Sequence, residues 1–104
     1  EAMEIYIEAY SQPGAMRAGF NYYRATPTDV QDNEAALKAG GKLKMPVLAL
    51  AGSKGRGRGA RMVLDSARRI AEKVSGGEIS DTGHWLVEEK PDVVAEELME
   101  FFQD

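Results

Sequence analysis

The chain contains no cysteine, which removes disulfides, thiolate nucleophiles and cysteine-ligated metal centres at once. It contains a single histidine, so a metal ion would have to rest on carboxylates alone, and no metal site is expected. No apolar run approaches the roughly 20 residues needed to cross a bilayer, the longest being the strand-length stretch Met45 to Ala51. A Gly-x-Ser-x-Gly elbow is missing, and with it a serine nucleophile on a strand-to-helix turn. Gly-Lys-Ser and Gly-Lys-Thr are missing too: Lys54 is followed by Gly55, so the glycine-rich loop around it lacks the lysine placement of a phosphate loop. Lack of cysteine is compatible with the cytosol or with export; a cytoplasmic location is the expectation.

What is present suits one small domain. The 104 residues are 43% hydrophobic and 29% charged, the composition of a globular chain rather than a disordered or membrane-spanning one. The net charge of −4 is unevenly spread. Lys54 to Lys73 carries seven basic residues against two acidic ones, and Glu88 to Asp104 carries seven acidic against one basic. A basic stretch can bind nucleic-acid phosphates, but no stacking aromatics are interleaved with this one. Two solvated helix faces of opposite sign are the plainer account, and neither nucleic acid nor a membrane is expected as a partner.

Met3, Tyr6, Ile7 and Tyr10 recur at i, i+3, i+4 and i+7, so the chain opens within an amphipathic helix that Ser11-Gln12-Pro13-Gly14 breaks. A second helix carries Met16, Phe20 and Tyr23 on one stripe. It is expected to end at Thr26-Pro27, since the residue before proline avoids the α region. Thr28 or Asp29 would cap a third helix, which Gly40-Gly41 stops. Met45 to Ala51 is continuously apolar, as expected of a strand covered on both faces of a parallel sheet. After the loop Gly52 to Gly59, a helix would turn Val63, Ala67, Ile70, Ala71 and Val74 inward. Gly76-Gly77 reads as a turn into a weak strand, Glu78-Ile79-Ser80. A last helix, Pro91 to Phe102, would bury Val94, Leu98, Phe101 and Phe102.

Strand, helix, strand, helix is the βαβ signature of a parallel sheet with right-handed crossovers. The expected class is α/β, with a helical part over residues 1–41 and a sheet part over 42–104. Two strands are too few for a parallel sheet covered on both faces, so the sheet is expected to be completed by a part of the fold outside this sequence, which is read as a fragment. An unpaired strand edge and apolar helical stripes template association. A homo-oligomer is therefore expected, formed by exchange of the first helices between copies.

The feature richest in chemistry is Thr82-Gly83-His84-Trp85, which holds the only histidine and the only tryptophan. Imidazole titrates near neutral pH, and a loop between a strand and a helix is where a general base is commonly displayed. The plain alternative is a surface histidine with no role. Tyr22-Tyr23 is a second candidate, because a phenol on an apolar face needs a partner for its hydroxyl. Adjacent helical positions point about 100° apart, so only Tyr23 shares the stripe of Met16 and Phe20. Core packing is the plain alternative there. Glu88-Glu89 and Glu96-Glu97 read as solvated.

Four segments in order resemble the C-terminal part of α/β-hydrolase fold enzymes of the epoxide hydrolase and haloacetate dehalogenase group. Phe20-Asn21-Tyr22-Tyr23-Arg24 is similar to the end of the cap domain, Lys44-Met45-Pro46-Val47-Leu48-Ala49-Leu50 to the seventh strand, Thr82-Gly83-His84-Trp85 to the loop that delivers the catalytic histidine, and Glu89-Lys90-Pro91-Asp92 to the entry of the terminal helix. The resemblance implies that His84 is the catalytic base, that Tyr23 is a lid tyrosine binding substrate, and that Trp85 walls the pocket. It implies a small-molecule substrate attacked by an aspartate through a covalent alkyl-enzyme ester, with no cofactor required.

The departures are as informative. Many relatives place the triad's acid just after the seventh strand, where this chain has Lys54 and Gly55. None of Asp29, Asp32, Asp65, Asp81, Asp92 or Asp104 stands in the elbow context that the nucleophile needs. The resemblance therefore implies that nucleophile and acid lie in an earlier part of the fold and that these residues alone are inactive. Within it the substrate stays open among epoxide, haloacid and ester. Two readings from other classes stand beside it: a non-catalytic self-assembling fragment, and a weak nucleic-acid binder through Lys54 to Lys73.

Overall fold

The computed structural model describes residues 2–55 and 59–103. Glu1, Arg56, Gly57, Arg58 and Asp104, and with them part of the glycine-rich loop and two charges of the basic stretch, lie outside the described residues. The chain divides into two compact units, Glu1–Gly40 and Gly41–Asp104.

The first unit is helical: α1 spans Ala2–Ser11 and α2 spans Ala15–Gly40. The Pro13-Gly14 break between them falls as its residues demand, with Gly14 at φ 86°, a conformation that a side chain resists. The backbone N–H of Ala15 donates to the Gln12 carbonyl at 3.0 Å and that of Ala18 to Gly14 at 2.9 Å, which restarts the helical ladder at once. The expected end at Thr26-Pro27 does not occur, for α2 runs through Pro27 as one helix. The proline biases the residue before it against helix without forbidding it, and the alanine-rich second half of α2 (Ala35, Ala36, Ala39) favours continuing the helix. The missing proline N–H leaves the Tyr23 carbonyl without its i+4 donor. The stop at the far end comes where the glycines put it: α2 closes at Gly40, and Gly41 takes φ 74°, the left-handed turn that commonly ends a helix. No residue of α1 or α2 is buried.

The second unit follows the order β1 (Leu43–Gly52), α3 (Ala60–Ile70), β2 (Ala71–Ile79), α4 (Leu86–Glu89) and α5 (Pro91–Phe101). β1 and β2 pair in parallel, Val47 opposite Val74 and Gly52 opposite Ile79, with α3 as the crossover. The class is α/β, as the apolar run of β1 implied. Pro46, which cannot donate to a ladder, sits beside the register irregularity between Leu43 and Pro46, a place where strand prolines are tolerated.

The sequence misplaces the boundary between α3 and β2. Ala71 and Val74 belong to the strand, not to the inward face of the helix, and β2 is a full nine-residue strand rather than the short Glu78-Ile79-Ser80. Helix passes to strand with no loop: Ala71 is extended at φ −130° while its N–H still closes the last turn on the Ala67 carbonyl. Burial of Ala71, 2% exposed, anchors this abrupt junction. Gly76-Gly77 is likewise not a turn but mid-strand, opposite Ala49 and Leu50. The core of the unit is small: Ala49, Ala51, Ala71, Ile79 and Val94 are its buried apolar residues. Val94 is thus inside as expected, whereas Ile70, Leu98 and Phe102 are exposed and Phe101 is half-buried.

The charged face of α3 is locally paired. Arg61 and Arg68 both approach Asp65, at 3.8 and 3.5 Å, the i,i+4 and i,i+3 spacings that bring helical neighbours together.

The two mid-strand glycines differ in what they tolerate. At Gly76, φ is 104° and an added Cβ would run into the backbone of Ala49. At Gly77 nothing lies within 4 Å and φ is ordinary. Gly76→Ala should therefore cost at least about 2 kcal/mol in urea unfolding, while Gly77→Ala should stay within about 0.5 kcal/mol of the parent. Equal effects of the two would contradict this strand register.

Candidate functional site

The loop that carries His84 leaves β2 at Ile79 and enters α4 after Trp85, at the carboxyl end of the parallel pair. In open α/β sheets this is the edge at which ligands bind. The loop's first residues are fastened to the end of β1 by backbone contact. Gly52 lies so close to Thr82 and Gly83 that an added Cβ would meet the Thr82 carbonyl oxygen at 2.5 Å and the Gly83 carbonyl oxygen nearer still. Only a residue with no side chain fits, so the first glycine of the Gly52–Gly59 run serves strand–loop contact. The Ser53 N–H donates to the Ile79 carbonyl at 3.0 Å and the Lys54 N–H to the Thr82 carbonyl at 2.7 Å.

Side chains complete the fastening. Thr82 is wholly buried, and its hydroxyl donates to the Ile79 carbonyl at 2.8 Å, so no polar atom of the side chain is left unpaired. The Asp81 N–H donates to Ser53 Oγ at 2.8 Å. Asp81 itself takes φ 60°, a left-handed conformation that aspartate tolerates better than most side chains. Its carboxylate pairs with the Lys54 ammonium. The hydrogen bond from Lys54, then the charges of Lys54 and Lys90, hold the Asp81 carboxyl below its ordinary range against a small opposing effect of burial. Lys54 is raised in turn by its hydrogen bond to Asp81, by the charge of Asp81 and by that of Glu89.

On the other side of the loop stands Glu89, the last residue of α4. One carboxylate oxygen accepts the Gly83 N–H at 2.8 Å and the other accepts the Trp85 N–H at 3.2 Å. α4 is a single turn closed by the Glu88 and Glu89 amides on the Trp85 carbonyl, at 3.0 and 2.9 Å, and by the Lys90 amide on Leu86 at 2.8 Å. Glu89 thereby satisfies amides at the start of the turn that no helical carbonyl can reach. The expectation that Glu88-Glu89 is merely solvated misses this use of Glu89. The available signal is an acidic residue four positions after Trp85, the reach of a side chain folding back over one helical turn.

Between these attachments His84 is presented to solvent. Its ring meets the Trp85 indole edge to face, with centroids 5.2 Å apart and planes at 74°. His84 lines a cavity of about 230 Å³ together with Leu50, Ala51, Gly52, Gly55, Val63, Gly83 and Leu86. Trp85 is 68% exposed and lies beside the imidazole rather than among the residues of that cavity. Two carboxylates that flank the loop are engaged elsewhere: Glu89 on two amides, Asp81 on Lys54. Tyr23 lies in the other unit, on α2, and both it and Tyr22 are 80% exposed, so neither phenol is buried in the helical face. Among the described residues no cluster of histidine and carboxylates could hold a metal ion, and no helix is long and apolar enough to cross a membrane.

The Lys54–Asp81 pair gives the loop a pH dependence whose sign follows from the two shifts. Asp81 has a folded pKa below its unfolded one, so its contribution is whole above the unfolded value, about 3.9, and is lost as pH falls through the folded one. Lys54 is raised, so its contribution is whole below its unfolded value and disappears only in strong base. Asp81→Asn keeps the backbone conformation accessible and removes the charge. The difference in melting temperature between parent and Asp81→Asn should hold steady near neutral pH and close below about pH 4. A gap that persists at pH 2 would mean that the pair contributes nothing.

Comparison with known proteins bears on the whole chain. No protein-family model matches it. Over 102 residues, 98% of this chain, it is 34% identical to a soluble epoxide hydrolase from Corynebacterium sp. strain C12. It superposes on the crystal structure of wild-type Cfl2 from Burkholderia cenocepacia with a TM-score of 0.83 and 34% identity, over 93% of this chain. The chain spans about a third of each relative, 34% of the hydrolase and 32% of Cfl2. Similarity at 34% identity over nearly the whole chain, with the α/β architecture described above, makes this chain a C-terminal part of an α/β-hydrolase fold, similar to that of a soluble epoxide hydrolase.

Proposed function

We propose that His84 is the general base of an epoxide hydrolase reaction, acting in the natural-length protein on an ester formed with an aspartate from the part of the fold that precedes these residues. The observation that carries this reading is the exposed imidazole on a fastened loop, lining a cavity at the carboxyl end of the parallel strands. The relative named a soluble epoxide hydrolase favours an epoxide over a haloacid or a simple ester as substrate.

The chemistry divides into two steps. The aspartate carboxylate opens the epoxide at carbon, and the ring oxygen departs as an alkoxide that Tyr23 stabilises by donating its phenolic hydrogen bond. His84 then takes a proton from water as that water attacks the ester carbonyl. The acyl–oxygen bond breaks and the imidazolium returns its proton to the leaving alkoxide. The aspartic acid releases the water's other proton, which replaces the one that Tyr23 gives to the oxygen freed on ring opening, so that a diol and the free aspartate carboxylate result. Base catalysis of this kind is worth roughly 10²–10⁴-fold. Trp85, edge-on to the imidazole, walls one side of the ring. These residues alone supply neither nucleophile nor triad acid, so in isolation they do not turn over substrate.

In the natural-length protein, His84→Gln should allow the ester to form and prevent its hydrolysis. Intact-mass measurement after mixing with an epoxide should show the protein heavier by one substrate, with steady-state turnover reduced by roughly 10²-fold or more. Undiminished turnover would remove His84 from the mechanism. Tyr23→Phe should slow formation of that ester, with Tyr22→Phe the control at equal stability. A larger effect of Tyr22→Phe would place the wrong phenol at the epoxide oxygen. Chloroacetate, offered in place of the epoxide, separates the two substrate classes by which of them alkylates the protein.

A further inference from the structure

The base reading names what His84 does but leaves open what aims it. His84 follows a glycine, the residue with the widest backbone freedom, and its side chain is exposed, so neither local conformation nor burial holds it. A catalytic group must nonetheless be held to within about 0.5 Å of its productive position. The peptide planes on either side of the histidine are where that control can be applied. The Gly83 N–H belongs to the second peptide plane before the His84 Cα and the Trp85 N–H to the plane directly after it, with the Gly83 and His84 torsions between them.

We propose that Glu89 is the positioning residue for His84: its carboxylate, bridging the Gly83 and Trp85 amides, sets the direction in which the imidazole is presented. The inference rests on the reading of His84 as base. A single carboxylate accepting at 2.8 and 3.2 Å ties both planes to one rigid group, so the backbone torsions of Gly83 and His84 between them can no longer vary independently. Hydrogen bonds to an ionised acceptor are also the stronger kind. Gly83 is fitted to this role by space rather than conformation. Its φ is not positive, yet an added Cβ would meet Glu89 Oε1 at 3.0 Å, so that the carboxylate would have to give by a few tenths of an ångström. The opposite side of the loop is already fixed on β1 through Ser53, Lys54 and the buried Thr82. Glu89 engages the Gly83 and Trp85 amides from the α4 side.

The test uses the natural-length protein and two readouts, hydrogen exchange of the segment 82–90 and the separate rates of ester formation and ester hydrolysis. Glu89→Ala should accelerate exchange of that segment by about tenfold while β1 and β2 keep their protection. It should slow ester hydrolysis by about 10–100-fold and leave ester formation unchanged. Glu89→Gln retains one good acceptor and should fall between parent and alanine in both readouts. Glu96→Ala, an exposed loss of the same charge on α5, should change neither. Unchanged exchange in Glu89→Ala overturns the inference, as does faster exchange with ester hydrolysis intact. His84→Gln run in parallel separates the possible failures. Ester hydrolysis that survives His84→Gln removes the base reading itself, whereas hydrolysis lost in His84→Gln but intact in Glu89→Ala removes the positioning role alone.

Discussion

The second unit depends on one close approach, that of the end of β1 to the turn that follows β2. Gly52 touches the carbonyls of Thr82 and Gly83, and the amides of Ser53 and Lys54 donate across the gap to Ile79 and Thr82. Parallel strands cannot be joined by a tight hairpin, so their ends are held together only by the crossover and by contacts such as these. Without them the residues that carry His84 would hang from a single strand. With them, the loop continues the sheet by other means. The burial of Thr82, whose hydroxyl is satisfied inside the turn, shows how complete the join is.

The charged groups around the join divide the work according to exposure. Lys54 and Asp81 are both largely exposed, and an exposed ion pair contributes little because water screens it and side-chain entropy opposes it. Glu89 is also at the surface, but its partners are backbone amides that point at it from a fixed frame. It loses less freedom for each hydrogen bond made, and the amides it accepts from have no helical carbonyl to turn to. Geometry rather than charge separates these two acidic residues flanking one histidine.

Much of the fold is legible in the residues, and the failures share a cause. The unbroken apolar run of β1, the Pro13-Gly14 break, the Gly40-Gly41 stop and the proline at the start of α5 are local signals, and each element follows them. The α3–β2 junction is not local. Ala71 and Val74 fit a helical stripe as well as a strand, and only pairing with β1 and the burial of Ala71 decide between the two. Gly76 carries the mark of a turn in any short window, and its real requirement, the nearness of the Ala49 backbone, comes from a strand remote in sequence. Leu98 and Phe102 read as core because their spacing is right, but the two-stranded sheet of the described residues offers too little surface to cover them. At the site, the loop and its histidine stand out by residue type alone. Glu89 shows only as an acidic residue four positions after Trp85, because its value lies in two backbone amides that any residue type supplies.

α2 carries a further consequence. A helix of its length runs about 39 Å at the usual rise per residue, and nothing along it is buried. Pro27 stands near its middle and deprives the Tyr23 carbonyl of its donor. The hydrogen-bond ladder that stiffens a helix is therefore interrupted at the residue that carries the phenol. The helix runs on unbroken, yet its one missing rung lies a single turn beyond the aromatic pair Tyr22-Tyr23, which makes that turn the least firmly bonded stretch of its backbone.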